Sequence, residues 1–140
     1  MNTTGVRLVV DTNIIVAIIG KKSPFRWIFD KIINGDFILC VTNDIVLEYR
    51  EIMSQKNGND VSENFNNFLT VHPFVENYNI YFNFNLITKD PSDNKFVDCA
   101  ISANAVCIIS NDTHFDILRE IEFPKVGILT LDEFEKLFKD

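Results

Sequence analysis

The chain is short of positive charge, with 13 Lys and Arg against 20 Asp and Glu and a net charge of −7 over 140 residues. A protein that holds nucleic acid by general electrostatics needs the opposite balance, so that mode is excluded. Enzymatic action on nucleic acid is not, because carboxylates gathered around a metal are neutralised when the cation arrives. Glycine is scarce as well. Its five copies include no Gly-x-Gly-x-x-Gly and no Gly-x-x-x-x-Gly-Lys, which argues against a dinucleotide or P-loop site. The three cysteines, Cys40, Cys99 and Cys107, cannot all pair and form no Cys-x-x-Cys or Cys-x-x-His set. Each sits among apolar neighbours and is expected to be a buried free thiol of a reducing cytoplasm. Both histidines, His72 and His114, stand apart and build no zinc site. His114 follows Asp112 closely, but a surface role is the expectation for it.

Long apolar runs are missing too. The longest, Ile14 to Ile19, falls far below the ~20 residues a membrane span requires. Asp11 and Asn13 interrupt what would be the apolar part of a secretory signal, so a cytoplasmic protein without membrane contact is expected. No internal repeat occurs at any period. What is present is ordinary globular composition, 46% apolar and 24% charged, at a length that suits one domain over residues 1–140.

Apolar runs typical of buried parallel strands occur at Arg7–Val10, Phe37–Val41, Val106–Ser110 and Gly127–Leu129. Helical patterns lie between them. Ser23-Pro24 reads as an N-cap and first helical position leading into Phe25-Arg26-Trp27-Ile28-Phe29, and Asn34-Gly35 closes that helix. Thr42-Asn43 caps a helix carrying Ile45, Val46, Tyr49, Ile52 and Met53, and 62–72 reads as a shorter one. Asp90-Pro-Ser-Asp93 stops the chain and opens a helix with Phe96, Val97, Ala100 and Ile101. Residues 113–122 are a further helical candidate, and Thr130-Leu-Asp-Glu133 is a capping box for the last helix. Residues 79–86 alternate apolar and polar side chains, as a strand or an extended cover would. Strands alternating with helices predict an α/β sandwich with a mostly parallel sheet, whose ligand site lies beyond the strand C-termini.

The carboxylates fall at that edge. Asp11, Thr12 and Asn13 stand between two stretches that both belong in the core, and a buried carboxylate must be paired, protonated or metal-bound. Helix capping is the simpler use of Asp11. Ser110-Asn111-Asp112 repeats the pattern after a later strand. Asp98 lies inside an apolar helix, and Glu48 lies early in the helix after the second strand, where a solvated face is the bland alternative. Clustered carboxylates stay partly protonated without a counter-charge, and Mg²⁺ or Mn²⁺ with oxygen ligands is the natural solution.

In their order these residues resemble the PIN-domain nucleases. The resemblance rests on Val-Val-Asp11-Thr-Asn13, Glu48, Asp98-Cys-Ala-Ile-Ser-Ala-Asn-Ala and Ile-Ser110-Asn-Asp112, and it covers essentially the whole chain. Asp90-Pro-Ser-Asp93-Asn94-Lys95-Phe96-Val97-Asp98 is similar to the toxin subgroup of toxin–antitoxin pairs. The resemblance implies a three-layer α/β/α fold and an endoribonuclease site using one or two Mg²⁺ or Mn²⁺ ions. It also implies a homodimer held inactive by a cognate antitoxin. Asp11, Glu48, Asp98 and Asp112 match the family's acidic quartet, with Thr12, Asn13 and Ser110 as supporting polar residues. Asp93 is an additional acid with helix capping as its simpler use. Asn111 stands where typical members carry a basic residue, which puts local phosphate contacts in question.

Asn94 and Lys95 share a helix face with Asp98 and could touch substrate phosphate or hold the carboxylates. Lys21, Lys22 and Arg26 form the one dense basic patch near a motif and could position RNA. Two other readings compete: a non-catalytic module that binds RNA or protein, and a phosphohydrolase with Asp11 as nucleophile. The second lacks the acid it would need at position 13, which is Asn. Phe82/Phe84/Leu86 and Phe25/Trp27/Phe29 are candidate dimer surfaces.

Overall fold

The computed structural model describes residues 5–139. Five short strands carry the architecture: β1 (Val6–Val10), β2 (Phe37–Val41), β3 (Val75–Asn77), β4 (Cys107–Ile109) and β5 (Ile128–Leu129). They form one parallel sheet in the order β3-β2-β1-β4-β5. Leu8, Val9 and Val10 are all fully buried although successive side chains point to opposite faces. Both faces of the central strand are therefore covered, as a parallel sheet between two helical layers requires. The helices are α1 (Thr12–Ile18), α2 (Arg26–Asn34), α3 (Asn43–Asn57), α4 (Asn59–Val71), α5 (Asn94–Ala103) and α6 (Leu131–Phe138).

The chain builds β1, β2 and β3 outward, then returns to the other side of β1 for β4 and β5. The order reverses between β1 and β4, and a crevice opens at the C-terminal ends of such a pair. Asp11 follows β1 there and Ser110 follows β4, their backbones joined by the Asp11 amide donating to the Ile109 carbonyl at 3.0 Å.

Most caps fall where the sequence puts them. Thr42 accepts from the Ile45 amide, and Thr130 and Glu133 form the reciprocal capping box of α6. Gly35 ends α2 with φ 87°, the left-handed conformation that its lack of a Cβ permits. The start of α2 differs from expectation. The helix begins at Arg26, and the Ser23 hydroxyl accepts the Phe25 amide in a turn one step before it. Residues 113–120 wind as a 3₁₀ helix, and 79–86 form no strand. That segment is an extended cover pinned by Asn94, whose side chain accepts from the Ile87 amide at 2.9 Å and donates to the Ile87 carbonyl at 2.8 Å.

Two expectations for the α2 region change. Trp27 stacks on Phe134 and meets Phe37 edge-on, while Phe29 packs on Phe65 and Phe68, so these rings join α2 to β2, α4 and α6. They are core rather than interface. Arg26 is likewise occupied: it pairs with Asp30 at 3.0 Å, donates to the Ile19 carbonyl and lies 4.8 Å over Phe29. It closes the α1–α2 junction, which leaves Lys21 and Lys22 as the exposed cations of that patch.

A methyl group at Gly35 would meet the Phe74 ring at 2.7 Å as well as an unfavourable φ. Gly35→Ala is expected to destabilise the protein by about 1–3 kcal/mol, read as a lower urea midpoint with unchanged m. An unchanged midpoint would mean that the α2 terminus and Phe74 yield freely.

Candidate metal centre

Burial is the main problem that the crevice has to solve. Asp11 is 7% exposed, at the end of a strand with no charge of opposite sign beside it in sequence. Its carboxylate is held by two neutral donors. Thr12 gives its amide to Oδ1 at 2.8 Å, and Ser110 gives its hydroxyl to Oδ2 at 2.7 Å. The Ser110 oxygen in turn accepts the Asp112 amide at 3.0 Å, so one serine ties the β1 end to the loop after β4. Burial still pushes the Asp11 pKa up, the two hydrogen bonds pull it back, and the fields of Glu48 and Asp112 push it up again.

Glu48 reaches the crevice from the second turn of α3. Thr12 donates its hydroxyl to Glu48 Oε2, and Lys95 approaches Oε1 at 2.7 Å. Both partners orient the carboxylate, so Lys95 serves as a holder of Glu48 in this arrangement. Asp112 sits at the head of the 3₁₀ helix and accepts the His114 amide at 2.9 Å. Asn111 lines a cavity with Asp11 and Asp112, and its Oδ1 accepts the Leu131 amide at 3.0 Å at the start of α6. Asn13 is exposed and accepts from Lys56 at 3.1 Å.

Asp93 and Asp98 stand in different surroundings. Asp93 precedes α5 in the N-cap position but makes no side-chain cap hydrogen bond. It is 8% exposed, and its pKa is pushed up to about 6, first by burial and then by the fields of Asp90, Asp112 and Asp11. Asp98 instead accepts the Phe84 amide at 3.1 Å, and burial raises its pKa against that bond. It lines a neighbouring cavity of about 490 Å³ with Glu48, Lys95, Asp44 and Glu51. The reason is helix phase. Five residues separate the two acids, which turns one roughly 140° from the other about the axis of α5. Asn94 faces the extended cover as well, clamped on Ile87.

Asp11, Asp93 and Asp112 thus lie in one another's fields, and Glu48, which acts on Asp11, also lines the cavity with Asp98; Thr12, Ser110 and Lys95 are the supports. Asp93 Oδ2 is buried with no hydrogen-bond partner. A buried carboxylate oxygen without a hydrogen bond, in the fields of other acids and 3.4 Å from the His114 imidazole, is what a bound divalent cation would satisfy, and the carboxylates of this set suit Mg²⁺ or Mn²⁺. The residues fit such an ion. The sequence underrates Asp93 because capping accounts for an acid at that place; its distance from Asp98 on the helical wheel is the signal that separates them. His114 is also closer to the acids than expected, 3.4 Å from both Asp93 and Asp112. The thiols stay outside this chemistry. Cys40, Cys99 and Cys107 are buried and free, each pushed up to about 12 by burial, and so remain protonated at neutral pH.

A family model described as "PIN domain" matches residues 7–114. No curated protein sequence matches the chain. Among solved structures, the fold is similar to a chain in the crystal structure of VapBC2 from Rickettsia felis bound to a DNA fragment from their promoter. The TM-score is 0.62 at 14% identity, covering 90% of this chain and 99% of that one.

The acid cluster has a cost in the metal-free protein. Because the Asp93 pKa rises from the ordinary 3.8 to about 6 on folding, the folded state binds its proton more tightly than the unfolded chain. This contribution favours folding at low pH and is lost as pH climbs through that window. In EDTA, Asp93→Asn is expected to flatten the fall in stability between about pH 4 and 6 and to raise Tm at pH 7.5 by roughly 2–6 °C. A variant with the wild-type pH profile would show that Asp93 is not held among like charges.

Proposed function

The chain belongs to the PIN domain family, and from that premise we propose that it is a metal-dependent endoribonuclease, the toxin of a toxin–antitoxin pair. The observation that carries the reading is the unpaired Asp93 oxygen buried in the fields of Asp11 and Asp112. Asp11, Asp93 and Asp112 hold one or two Mg²⁺ or Mn²⁺ ions in this reading, with Glu48 as a direct or water-mediated ligand. Bound there, the cation draws charge from the phosphodiester in the transition state and lowers the pKa of water beside it.

The side chains do the rest. With the thiols protonated, water attacks phosphorus, and the bond to the leaving ribose oxygen breaks. One of the four carboxylates takes the proton of the attacking water, as general-base catalysis requires. Ser110 and the Thr12 amide keep Asp11 aimed at the crevice, and Lys95 with Thr12 keeps Glu48 there. Preformed orientation of this kind avoids reorganisation as the reaction proceeds. Lys21 and Lys22, exposed between α1 and α2, are candidate contacts to the RNA backbone.

The partners follow the same reading. The likeness to VapBC2 supports a cognate antitoxin as regulator, acting in the cytoplasm, and in this reading the chain is a single domain that pairs as a homodimer. Among the described residues no helix is long and apolar enough to cross a membrane. Tyr81 and Phe82, 89% and 66% exposed on the extended cover, are the apolar surface offered to such partners.

Cleavage of a mixed RNA pool tests the assignment. Purified protein with Mn²⁺ is expected to cut, and to stop in EDTA. Asp11→Asn, Asp93→Asn and Asp112→Asn should each lose roughly 100-fold or more in rate. Asp98→Asn should stay within a few-fold of wild type. Loss at Asp98 with retention at Asp93 would reverse the assignment, and no metal-dependent cutting by well-folded protein would favour a non-catalytic binding module.

A further inference from the structure

His114 meets Asp90 and Asp93, more than twenty residues earlier in the chain, beside the crevice. One ligand atom from each of Asp90, Asp93 and His114 lies within 4.8 Å of the other two. His114 Nδ1 stands 3.4 Å from Asp93 Oδ2 and 3.9 Å from Asp90 Oδ2, with Asp112 Oδ1 at 3.4 Å on a further side. Asp90 and Asp112 each have one oxygen already engaged. Asp90 Oδ1 accepts the Ser92 hydroxyl at 2.6 Å and its amide at 3.2 Å, and Asp112 Oδ1 accepts the His114 amide at 2.9 Å.

The remaining atoms are unsatisfied. Asp93 Oδ2 and His114 Nδ1 are both buried and both without a hydrogen-bond partner, on a residue, Asp93, that is only 8% exposed. The two atoms stand 3.4 Å apart without a hydrogen bond between them, which leaves both poorly satisfied. A cation between them would accept a lone pair from each. Two ligands about 2.1 Å from a tetrahedral ion stand roughly 3.4 Å apart, close to the 3.4 and 3.9 Å that separate His114 Nδ1 from the Asp93 and Asp90 oxygens.

We propose that Asp90, Asp93 and His114 form a second cation site adjoining the Asp11 crevice, which takes a first-row transition ion through one imidazole nitrogen and two carboxylate oxygens. Imidazole is a ligand for such ions, whereas Mg²⁺ keeps to oxygen and to its own waters, so this site discriminates against Mg²⁺. Three protein ligands leave positions open to water or to a phosphate oxygen. The inference rests on the proposed nuclease reading only in that Asp93 would be shared with the first site.

Cobalt is the probe, because its visible absorption reports ligand type and number without any activity assay. The whole protein is titrated with Co²⁺, followed by absorbance and calorimetry, while the ¹⁵N shifts of the His114 ring are recorded with Zn²⁺. Wild type should take two equivalents, and the His114 Nδ1 signal should move. His114→Asn and Asp90→Asn, both at partly exposed positions and checked by circular dichroism, should each lose one equivalent or bind it about 10-fold or more weakly. Asp11→Asn should keep the His114-dependent equivalent, and tenfold excess Mg²⁺ should not displace it. Unchanged Co²⁺ binding in both His114→Asn and Asp90→Asn, with an unmoved ring signal, would overturn the proposal and show His114 as an ion-pair partner of the acids. In that case an Asp11-dependent equivalent would leave the nuclease reading standing. Loss of the Asp11-dependent equivalent alone would sink that reading and spare this one.

Discussion

One buried carboxylate organises the protein. Asp11 ends the central strand of a parallel sheet, where both faces are covered and little water reaches it. A charge so placed is tolerated only with partners, and the chain supplies neutral ones, the Thr12 amide and the Ser110 hydroxyl. Those bonds do more than lower a cost. Thr12 also donates to Glu48, and Ser110 also accepts from Asp112, so satisfying Asp11 fixes the other acids. The positions of α3 and of the loop after β4 are in this sense consequences of where the first aspartate is buried.

The topology explains why the acids meet at all. Reversal of strand order between β1 and β4 leaves an opening at their C-terminal ends, and α1, α3 and α5 all begin near that edge. Side chains from the first turns of helices and from strand ends converge on it without any long loop to carry them. What the fold does not provide is neutral charge. Lys95 is paired with Glu48 and His114 stands against Asp93 and Asp112; the other groups on the acids are neutral, the Thr12 and Ser110 hydroxyls and backbone amides. Stability is surrendered to keep that arrangement, since burial and mutual repulsion raise Asp11 and Asp93 together. Strain of this electrostatic kind is what a divalent cation relieves.

The sequence made some of this legible and hid the rest for identifiable reasons. Residues 7–10, 37–41 and 106–110 read as strands because strands buried on both faces are continuously apolar. Thr42, Gly35 and Thr130 announce helix ends by side-chain chemistry that survives in any context. Val75–Asn77 carries no such mark: three residues, two of them polar, become an edge strand only because β2 is there to pair with. The alternation over 79–86 mimics a strand, yet it has no neighbour to pair with, and Asn94 holds it as a cover instead. In the site, Asp11, Glu48 and Asp112 stand where strand ends and first turns put them. Asp98, an acid in an apolar helix, accepts the Phe84 amide and lines the cavity beside Glu48. Asp93 passed for a cap, and only the structure reveals that it caps nothing.

The account stands or falls on where a cation sits. A crystal grown in Mn²⁺, with anomalous scattering recorded at the manganese edge, locates it without reference to activity. The prediction is a peak within about 2.1–2.3 Å of Asp11 or Asp93 oxygens and close to Asp112, with Asp98 still on the Phe84 amide. Manganese bound through Asp98 with Asp93 unengaged, or no peak in the crevice at saturating metal, would contradict the account.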